Sequence, residues 1–133
     1  MNSPLAANNN ENALDPELRM KWLRLAEACL SLGFPIFLVE GFRSTRRQEF
    51  LYTKGRTAPG RIVTHARGGQ SLHETGRALD FAFRTRDGED PWDEKHPWAT
   101  VGHMAVALGL LWGGDWSKAK VDKPHLQLPP LTV

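Results

Sequence analysis

The amino-acid sequence predicts a small α+β domain with a mainly antiparallel sheet. Three segments have the spacing of apolar residues that is typical of helices, and four short strand-like runs lie between and after them. The later runs are joined by short turns, which favours antiparallel neighbours. The composition, with 41% hydrophobic and 24% charged residues over 133 positions, is that of one ordinary globular domain.

The first helix is predicted to begin at Asp15 and to end at Gly33. Asp15 is a residue type that caps helix N-termini, Pro16 suits the first helical position, and Gly33 suits the position after the last turn. Apolar residues spaced by three or four positions give it the pattern of a helix: Leu18, Trp22, Leu25, Cys29 and Leu32. The apolar run at residues 35–39 then has the length of a strand.

A second helix is predicted to begin after Ser44 and to end near Gly55. The Ser44 hydroxyl can accept a hydrogen bond from the free backbone N–H groups of the first turn. Residues 55–69 follow without steady periodicity and indicate a long loop, in which residues 61–64 are expected to be briefly extended. Long loops in small domains often serve function.

Strict alternation over residues 78–83 predicts a strand with one apolar face and one face of small residues. Asp80 belongs to the second face, where there is free space for its carboxylate. A polar, turn-like stretch follows, and a third helix is predicted to open at Pro97 and to close at Gly109.

The last two strands are predicted at residues 110–112 and 125–128. A Gly-Gly turn and a charged segment separate them, and two prolines end the second one. Because side chains alternate along a strand, His125 and Gln127 share one face, and the leucines between and after them share the other.

Residues 1–13 are expected to be a flexible N-terminal tail and residues 14–133 one folded domain. The tail has no basic start and no apolar stretch, so it is not a signal peptide. The longest strongly apolar stretch, residues 104–112, is too short to cross a bilayer, and no membrane span is expected. The single cysteine, Cys29, cannot form an internal disulfide, which is compatible with synthesis in a reducing cytosol.

The charge balance gives no reason to expect nucleic acid as a partner. Seventeen Lys and Arg residues stand against fifteen Asp and Glu residues, a net charge of +2. Binding to a phosphate backbone by counterion release needs a stronger basic bias than this.

Four polar side chains are the candidates for chemistry. His73 precedes a glycine turn and Asp80 lies on the strand after that turn, so both can converge on one ion. His125, on the last strand, adds a third ligand, and three ligands with an open position suit a catalytic zinc that holds a water. Asp122 is then a spare carboxylate able to take the proton of that water, whose pKa the ion lowers to about 7.

The same ligand types also describe another class of metal site. Two histidines and one carboxylate with open positions form the iron site of non-haem oxygenases. The six residues between His73 and Asp80, and a base at Asp122 that such chemistry does not require, argue against an oxygenase.

Several strings resemble one known family in the same order along the chain. SLHETGRALDF at residues 71–81 resembles the SxHxxGxAxD signature of the D-alanyl-D-alanine and L-alanyl-D-glutamate zinc peptidases, which are VanY-like peptidoglycan peptidases. GFRS at residues 41–44, GRTAPGRIVTHARGGQS at residues 55–71, and WGGDW followed by DKPHLQL resemble further segments of that family. The resemblance covers roughly residues 34–128 and is strongest to single-domain bacteriophage endolysins.

The resemblance implies a role for each matching residue. Asp122 is the implied general base, at a position where many relatives have glutamate. Arg43 is implied to hold the substrate carbonyl and the charge that develops on it, for which a permanently charged donor is suited. Ser71 is implied to contact the substrate or to orient the site, and Gln48, near Arg43, is assigned no role. Three residues are the implied ligands of one Zn2+: His73, Asp80 and His125.

The implied activity is hydrolysis of the L-alanyl-D-glutamate bond in the stem peptide of bacterial peptidoglycan by metal-activated water. Residues 14–133 are then the zinc peptidase domain, expected to act as a monomer. The expected setting is that of an endolysin, synthesised in the host cytoplasm without a signal peptide. It would be released at lysis to act on the cell wall in the periplasm.

Two alternatives stay open at this point. The runner-up is a D-alanyl-D-alanine carboxypeptidase or dipeptidase of the same family, because the motif sets the mechanism and the pocket sets the bond. The other is a non-catalytic cell-wall-binding module that keeps zinc only for structure. An intact Asp122 disfavours the module, since a structural site has no use for an extra carboxylate.

Overall fold

A four-stranded antiparallel sheet organises the structure, a computed structural model that describes residues 5–131. The strands lie in the order β1-β2-β4-β3, so β2 is flanked on both sides. This architecture confirms the predicted α+β fold with a mainly antiparallel sheet. The strands are β1 Ile36–Glu40, β2 Ala78–Phe83, β3 Leu111–Trp112 and β4 His125–Gln127, and the helices are α1 Pro16–Leu32, α2 Thr45–Thr53 and α3 Trp98–Ala107.

The helices begin where the sequence predicts them. The Asp15 carboxylate accepts from the backbone N–H of Glu17 at 2.9 Å, and Gly33 ends α1 with a φ of 91°, which favours glycine. The Ser44 hydroxyl caps α2, whereas Pro97 precedes α3 without a side-chain cap. Within residues 5–131, no helix combines the length and apolarity that a membrane span requires.

The predicted extension of residues 61–64 is wrong, because these residues form no strand. Among residues 5–131 no strand pairs with them, and side chains bind two carbonyl groups of this loop. Arg56 donates to the Thr64 carbonyl at 3.1 Å, and Gln48 donates to the Ala66 carbonyl at 2.6 Å. The second helix also ends at Thr53, slightly before the predicted glycine.

The described part of the predicted tail contacts the domain. Asn8 accepts from the Gly41 N–H at 2.8 Å, and Asn10 caps a short 3-10 turn at Glu11–Ala13. Leu14 is buried in the core. Residues 1–4 lie outside the described residues, and the division of the chain at residue 14 stays a prediction.

The core lies between one face of the sheet and the helices α1 and α3. Phe81 and Phe83 extend from β2 into this core, where their rings lie 5.4 Å and 4.7 Å from that of Trp98. Because side chains alternate along β2, Asp80 lies on the opposite face. The apolar face of β2 therefore anchors the strand that carries the candidate ligand.

Asp80 sits in the middle of the sheet with a neighbour on each side. His125 of β4 is its partner on one side, and Glu40 of β1 is its partner on the other. The pairing between β1 and β2 shifts by one residue between Leu38 and Glu40. This bulge brings Glu40, rather than Val39, opposite Asp80, and bulges of this kind often re-aim a side chain next to a functional site.

Replacing Gly102 by alanine is expected to destabilise the protein by about 1–2 kcal/mol. Helix propensity alone favours alanine over glycine by about 1 kcal/mol, but a Cβ at this position would overlap the ring of Trp112, which is buried. Denaturant unfolding measures the change. Thr100→Ala, at an exposed position of the same helix, is the control and is expected to be close to neutral. A gain in stability for Gly102→Ala would contradict the close approach of α3 to Trp112.

Candidate metal centre

His73 lies in a single 3-10 turn, Leu72–Thr75, that a capping box fixes in place. The Ser71 hydroxyl accepts from the His73 N–H at 3.2 Å, and the Glu74 carboxylate accepts from the Ser71 N–H at 3.2 Å. Gly76 closes the turn with a φ of 74°. These hydrogen bonds within the turn fix the backbone position of His73.

Ser71 lines the cleft beside His73, as its predicted role requires. The same hydroxyl also caps the 3-10 turn, so Ser71 has a structural role in addition. Contact of Ser71 with a substrate stays a prediction.

The three predicted ligands converge. Nε2 of His73 lies 3.5 Å from Oδ2 of Asp80, and Nδ1 of His125 lies 3.4 Å from Oδ1 of the same carboxylate. One ligand atom from each of the three residues lies within 4.8 Å of the other two. Both imidazoles are buried, and no other group of this kind is found among residues 5–131.

Hydrogen bonds fix which nitrogen of each imidazole faces Asp80. The Nδ1–H of His73 donates to the Gly41 carbonyl at 2.9 Å, and the Nε2–H of His125 donates to Oε1 of Gln127 at 2.8 Å. The remaining nitrogen of each neutral ring then carries a lone pair directed at the carboxylate. Partners of this type orient ligating histidines in metal sites.

The donor set fits a cation better than it fits hydrogen bonding within the protein. Oδ1 of Asp80 is buried and has no hydrogen-bond partner among residues 5–131. Lone pairs of neutral imidazoles and a carboxylate that face one another are unfavourable unless a positive charge lies among them. A metal ion supplies that charge, and so does a proton on His125, because Asp80 and Gln127 outweigh burial and raise the pKa of that imidazole. Two imidazole nitrogens and one carboxylate oxygen form a ligand set that Zn2+ accepts while keeping an open position.

The electrostatics of His73 and Asp80 suit a cation. Burial lowers the pKa of the His73 imidazole, which favours the neutral form that binds metals. Burial alone would raise the pKa of Asp80, but His125, His73 and Arg43 outweigh it and hold the pKa below its ordinary value. Asp80 is therefore ionised at neutral pH.

Asp122 lies next to the three ligands without belonging to them. Its Oδ2 is 3.9 Å from Nδ1 of His125, and its side chain is 48% exposed, so water reaches it. Partial burial and the negative charge of Asp80 raise the pKa of the Asp122 carboxyl. A raised pKa brings a carboxylate closer to the range in which a general base works well at neutral pH.

Arg43 is the cation closest to the ligands among the described residues. One guanidinium nitrogen, Nη2, lies 3.7 Å from Oδ2 of Asp80 and 2.8 Å from Oε1 of Glu40. The other, Nη1, donates to Oε1 of Gln48 at 2.9 Å. Neither Glu40 nor Gln48 belongs to a recognisable catalytic pattern, so the sequence predicts no role for either.

Glu40→Gln is expected to reduce stability at neutral pH by about 2 kcal/mol, because a charged hydrogen-bond partner of two arginines is lost. Burial opposes ionisation of Glu40, but hydrogen bonds from Arg43 and Arg47 lower its pKa below the ordinary value. This stabilisation is present above the pKa of the unfolded chain and disappears as the pH falls through the lower pKa of the folded state. Denaturant unfolding between about pH 7 and pH 2 measures it. A stability difference that stays constant over this range would contradict the charged pairing.

An open cleft of about 650 Å3 gives access to these groups. Residues 62–66 form one wall, and Trp116 with residues 119–122 forms part of the other. Trp116 packs against the ring of His125 with ring centres 4.9 Å apart. A cleft of this volume admits a short peptide. It is lined by every residue for which the sequence predicts a role: Arg43, Ser71, His73, Asp80, Asp122 and His125.

The sequence is similar to known peptidoglycan peptidases. Residues 11–120 match a family described as VanY, D-alanyl-D-alanine carboxypeptidase. This stretch includes His73 and Asp80 and ends before Asp122 and His125. Over 125 residues, the chain is 42% identical to the peptidoglycan L-alanyl-D-glutamate endopeptidase CwlK of Bacillus subtilis (strain 168), a match that covers 88% of this chain and 74% of CwlK.

Solved structures share the fold at lower identity. The L-Ala D-Glu endopeptidase ChiX of Serratia marcescens superimposes with a TM-score of 0.67 at 24% identity, covering 97% of this chain and 90% of ChiX. The vancomycin-resistance D,D-pentapeptidase VanY, solved in complex with Zn(II), superimposes with a TM-score of 0.64 at 17% identity, covering 86% of this chain and 72% of VanY. At these identities the likeness concerns the fold.

Proposed function

The chain belongs to the VanY family of D-alanyl-D-alanine carboxypeptidases, and from this premise we propose that it hydrolyses the L-alanyl-D-glutamate bond of peptidoglycan stem peptides. The observation that carries the proposal is the convergence of His73, Asp80 and His125 in an open cleft, with Asp122 beside them. The choice of bond is supported by the 42% identity to an L-alanyl-D-glutamate endopeptidase.

Zn2+ is the proposed ion, held by Nε2 of His73, a carboxylate oxygen of Asp80 and Nδ1 of His125. When bound, it supplies a Lewis acid that polarises a peptide carbonyl and acidifies water. Gly41 and Gln127 hold the two imidazoles in the required tautomers. The ligand residues themselves neither gain nor lose a proton during hydrolysis.

Asp122 and Arg43 are the proposed catalytic groups. The Asp122 carboxylate accepts a proton from the attacking water as the water oxygen bonds to the carbonyl carbon of L-alanine. The carbonyl oxygen becomes negatively charged, and the guanidinium of Arg43 stabilises that charge. Asp122 then delivers the proton to the nitrogen of D-glutamate as the C–N bond breaks. The products are a free L-alanine carboxylate and a new D-glutamate amine.

A digest of purified peptidoglycan and defined stem peptides, read by mass spectrometry, tests the proposal. The reaction is run as prepared, after treatment with a chelator, and after addition of Zn2+. Fragments with a new N-terminal D-glutamate that vanish with the chelator and return with Zn2+ are the expected result. Absence of any cleavage would overturn the proposal in favour of a wall-binding module.

A D-alanyl-D-alanine carboxypeptidase is the second candidate. The description of the matching family favours it, since that description names this activity. The same digest separates the two candidates. Release of terminal D-alanine alone, with intact L-alanyl-D-glutamate bonds, would select the carboxypeptidase.

We further propose that the enzyme is a bacteriophage endolysin that acts as a monomer on the wall after release from the host cytoplasm. The support is the resemblance to single-domain endolysins and the arrangement of residues 5–131 around a single four-stranded sheet. Expression in the cytoplasm of a bacterial host, with and without a membrane-permeabilising protein, tests it. Lysis only upon permeabilisation is expected, and lysis in neither culture would contradict a lytic role.

A further inference from the structure

Arg43 is held from two sides by buried side chains. Glu40 accepts from Nη2 at 2.8 Å, and Gln48 accepts from Nη1 at 2.9 Å. Glu40 is 5% exposed and Gln48 is fully buried. Neither residue lines the cleft. Any effect of these two residues on a substrate must therefore pass through the groups that they contact.

The position of Glu40 depends on the bulge in β1. Leu38 pairs with Phe81, so regular pairing would bring Val39 opposite Asp80. The bulge brings Glu40 there instead, and Arg43 then lies between two carboxylates, 2.8 Å from Glu40 and 3.7 Å from Asp80. A departure from regular strand pairing thus places a buried negative charge behind the arginine.

Glu40 also has a second cationic partner. Nε of Arg47 lies 2.9 Å from Oε2 of Glu40, so each carboxylate oxygen of Glu40 accepts from an arginine. A buried carboxylate with both oxygens engaged has little freedom to rotate. The orientation of the Arg43 guanidinium is restricted accordingly.

Gln48 links Arg43 to the wall of the cleft. Its amide nitrogen donates to the Ala66 carbonyl at 2.6 Å and lies 3.2 Å from Oγ1 of Thr64. Thr64 and Ala66 both line the cleft. The Gln48 amide therefore bonds the guanidinium at one end and the loop that faces a substrate at the other.

We propose that Glu40 and Gln48 are positioning residues for the hydrolysis, acting through Arg43. Glu40 holds the guanidinium beside Asp80, and Gln48 sets its distance from the cleft wall at Thr64 and Ala66. The inference rests on the proposed function for its kinetic consequence. The placement of Arg43 itself can be measured without a substrate.

Glu40→Gln tests the first link. The variant keeps the shape of the side chain and loses the charge, so kcat is expected to fall about 10- to 100-fold, the range found when outer partners of a site are changed. KM is expected to change by less than about threefold, because the charge on the carbonyl oxygen develops only in the transition state. Glu27→Gln, at an exposed position of α1, is the matched control and is expected to leave both constants unchanged.

Gln48→Met tests the second link and is independent of the first. The variant keeps similar volume and removes both the acceptor for Arg43 and the donor to the loop. We expect kcat to fall and KM to rise, because the guanidinium and the cleft wall lose their connection. This pattern differs from that of Glu40→Gln, where KM is nearly preserved.

The NMR signal of the Arg43 Nε–H provides a readout without activity. This group is buried and has no hydrogen-bond partner among residues 5–131, so its signal is sensitive to how the rest of the guanidinium is held. Its chemical shift and exchange rate are expected to change in both variants and not in Glu27→Gln. An unchanged signal together with kcat within twofold of the wild type would overturn the proposal. A wild type without peptidase activity would overturn the proposed function alone, since the signal would still report the placement of Arg43.

Discussion

Asp122→Asn is expected to lower kcat by about 10²- to 10⁴-fold, the usual contribution of a general base, while the protein keeps its fold and its metal. The amide has nearly the shape of the carboxylate but cannot accept the proton of the attacking water. Because Asp122 lies 3.9 Å from His125 and is not one of the three converging ligands, the metal site is expected to survive. Turnover of a stem peptide and the zinc content of the purified protein are the two measurements.

Two further variants make this experiment specific. Asp115→Asn, an exposed aspartate that does not line the cleft, is the matched control and is expected to keep normal turnover. Asp122→Glu restores a carboxylate on a longer side chain and is expected to recover part of the activity, since glutamate is the residue that the family resemblance implies at this position in many relatives. Normal turnover in Asp122→Asn would remove this residue from the mechanism.

His73→Ala is expected to lose both the metal and the activity. The change removes one of three ligands and leaves Oδ2 of Asp80 without the nitrogen that lies 3.5 Å from it. Losing an outer partner of a ligand already costs about 10- to 100-fold in metal affinity, and loss of the ligand itself is expected to cost at least that much. Zinc content after dialysis and competition with a chelating dye measure the affinity.

A thermal readout separates loss of metal from loss of fold. An ion that binds only the folded state at 100 times its Kd stabilises that state by about 2.7 kcal/mol, so Zn2+ is expected to raise the Tm of the wild type. The His73→Ala variant is expected to fold and to show a much smaller rise. His65→Ala, an exposed histidine of the cleft edge, is the control and is expected to keep the full rise. Full zinc content in His73→Ala would contradict the ligand set.

The elements with strong local signals could be predicted from the sequence. The cap at Asp15 and the left-handed Gly33 bound α1, and the alternation around Asp80 gives β2 with the predicted limits. These signals depend on residues close together in the chain. The unpaired conformation of residues 61–64 could not be predicted in this way, because it depends on whether another strand lies beside them.

The three candidate metal ligands could be predicted from the sequence, whereas the residues that support them could not. Spacing and strand alternation place His73, Asp80 and His125 in one site, as the structure has them. The partner of His73 is a backbone carbonyl, which carries no sequence signal. Glu40 reaches its position through a bulge that depends on the pairing of two strands.

The sequence does contain a signal for the role of Gln127 beside His125. The alternation of β4 places it on the same face as His125, two residues away, and it accepts the Nε2–H of that ligand. An amide at this spacing from a candidate ligand is therefore a reason to expect a partner that fixes the tautomer. The contact between Arg43 and Gln48 has a weaker signal in the sequence. The two residues are five positions apart, and their contact can be predicted only if the end of β1 and the start of α2 are already known.

The position of β4 in the chain has a consequence for when the enzyme becomes active during its synthesis. Proteins are made from the N-terminus, and β4 follows the other described strands and helices. A growing polypeptide that has not reached residue 125 has Arg43, the turn at His73 and the central strand, but it lacks one of the three converging side chains of the candidate metal site. Chains that end before residue 125 are therefore expected to lack hydrolytic activity, which requires that β4 has been added and has paired with β2.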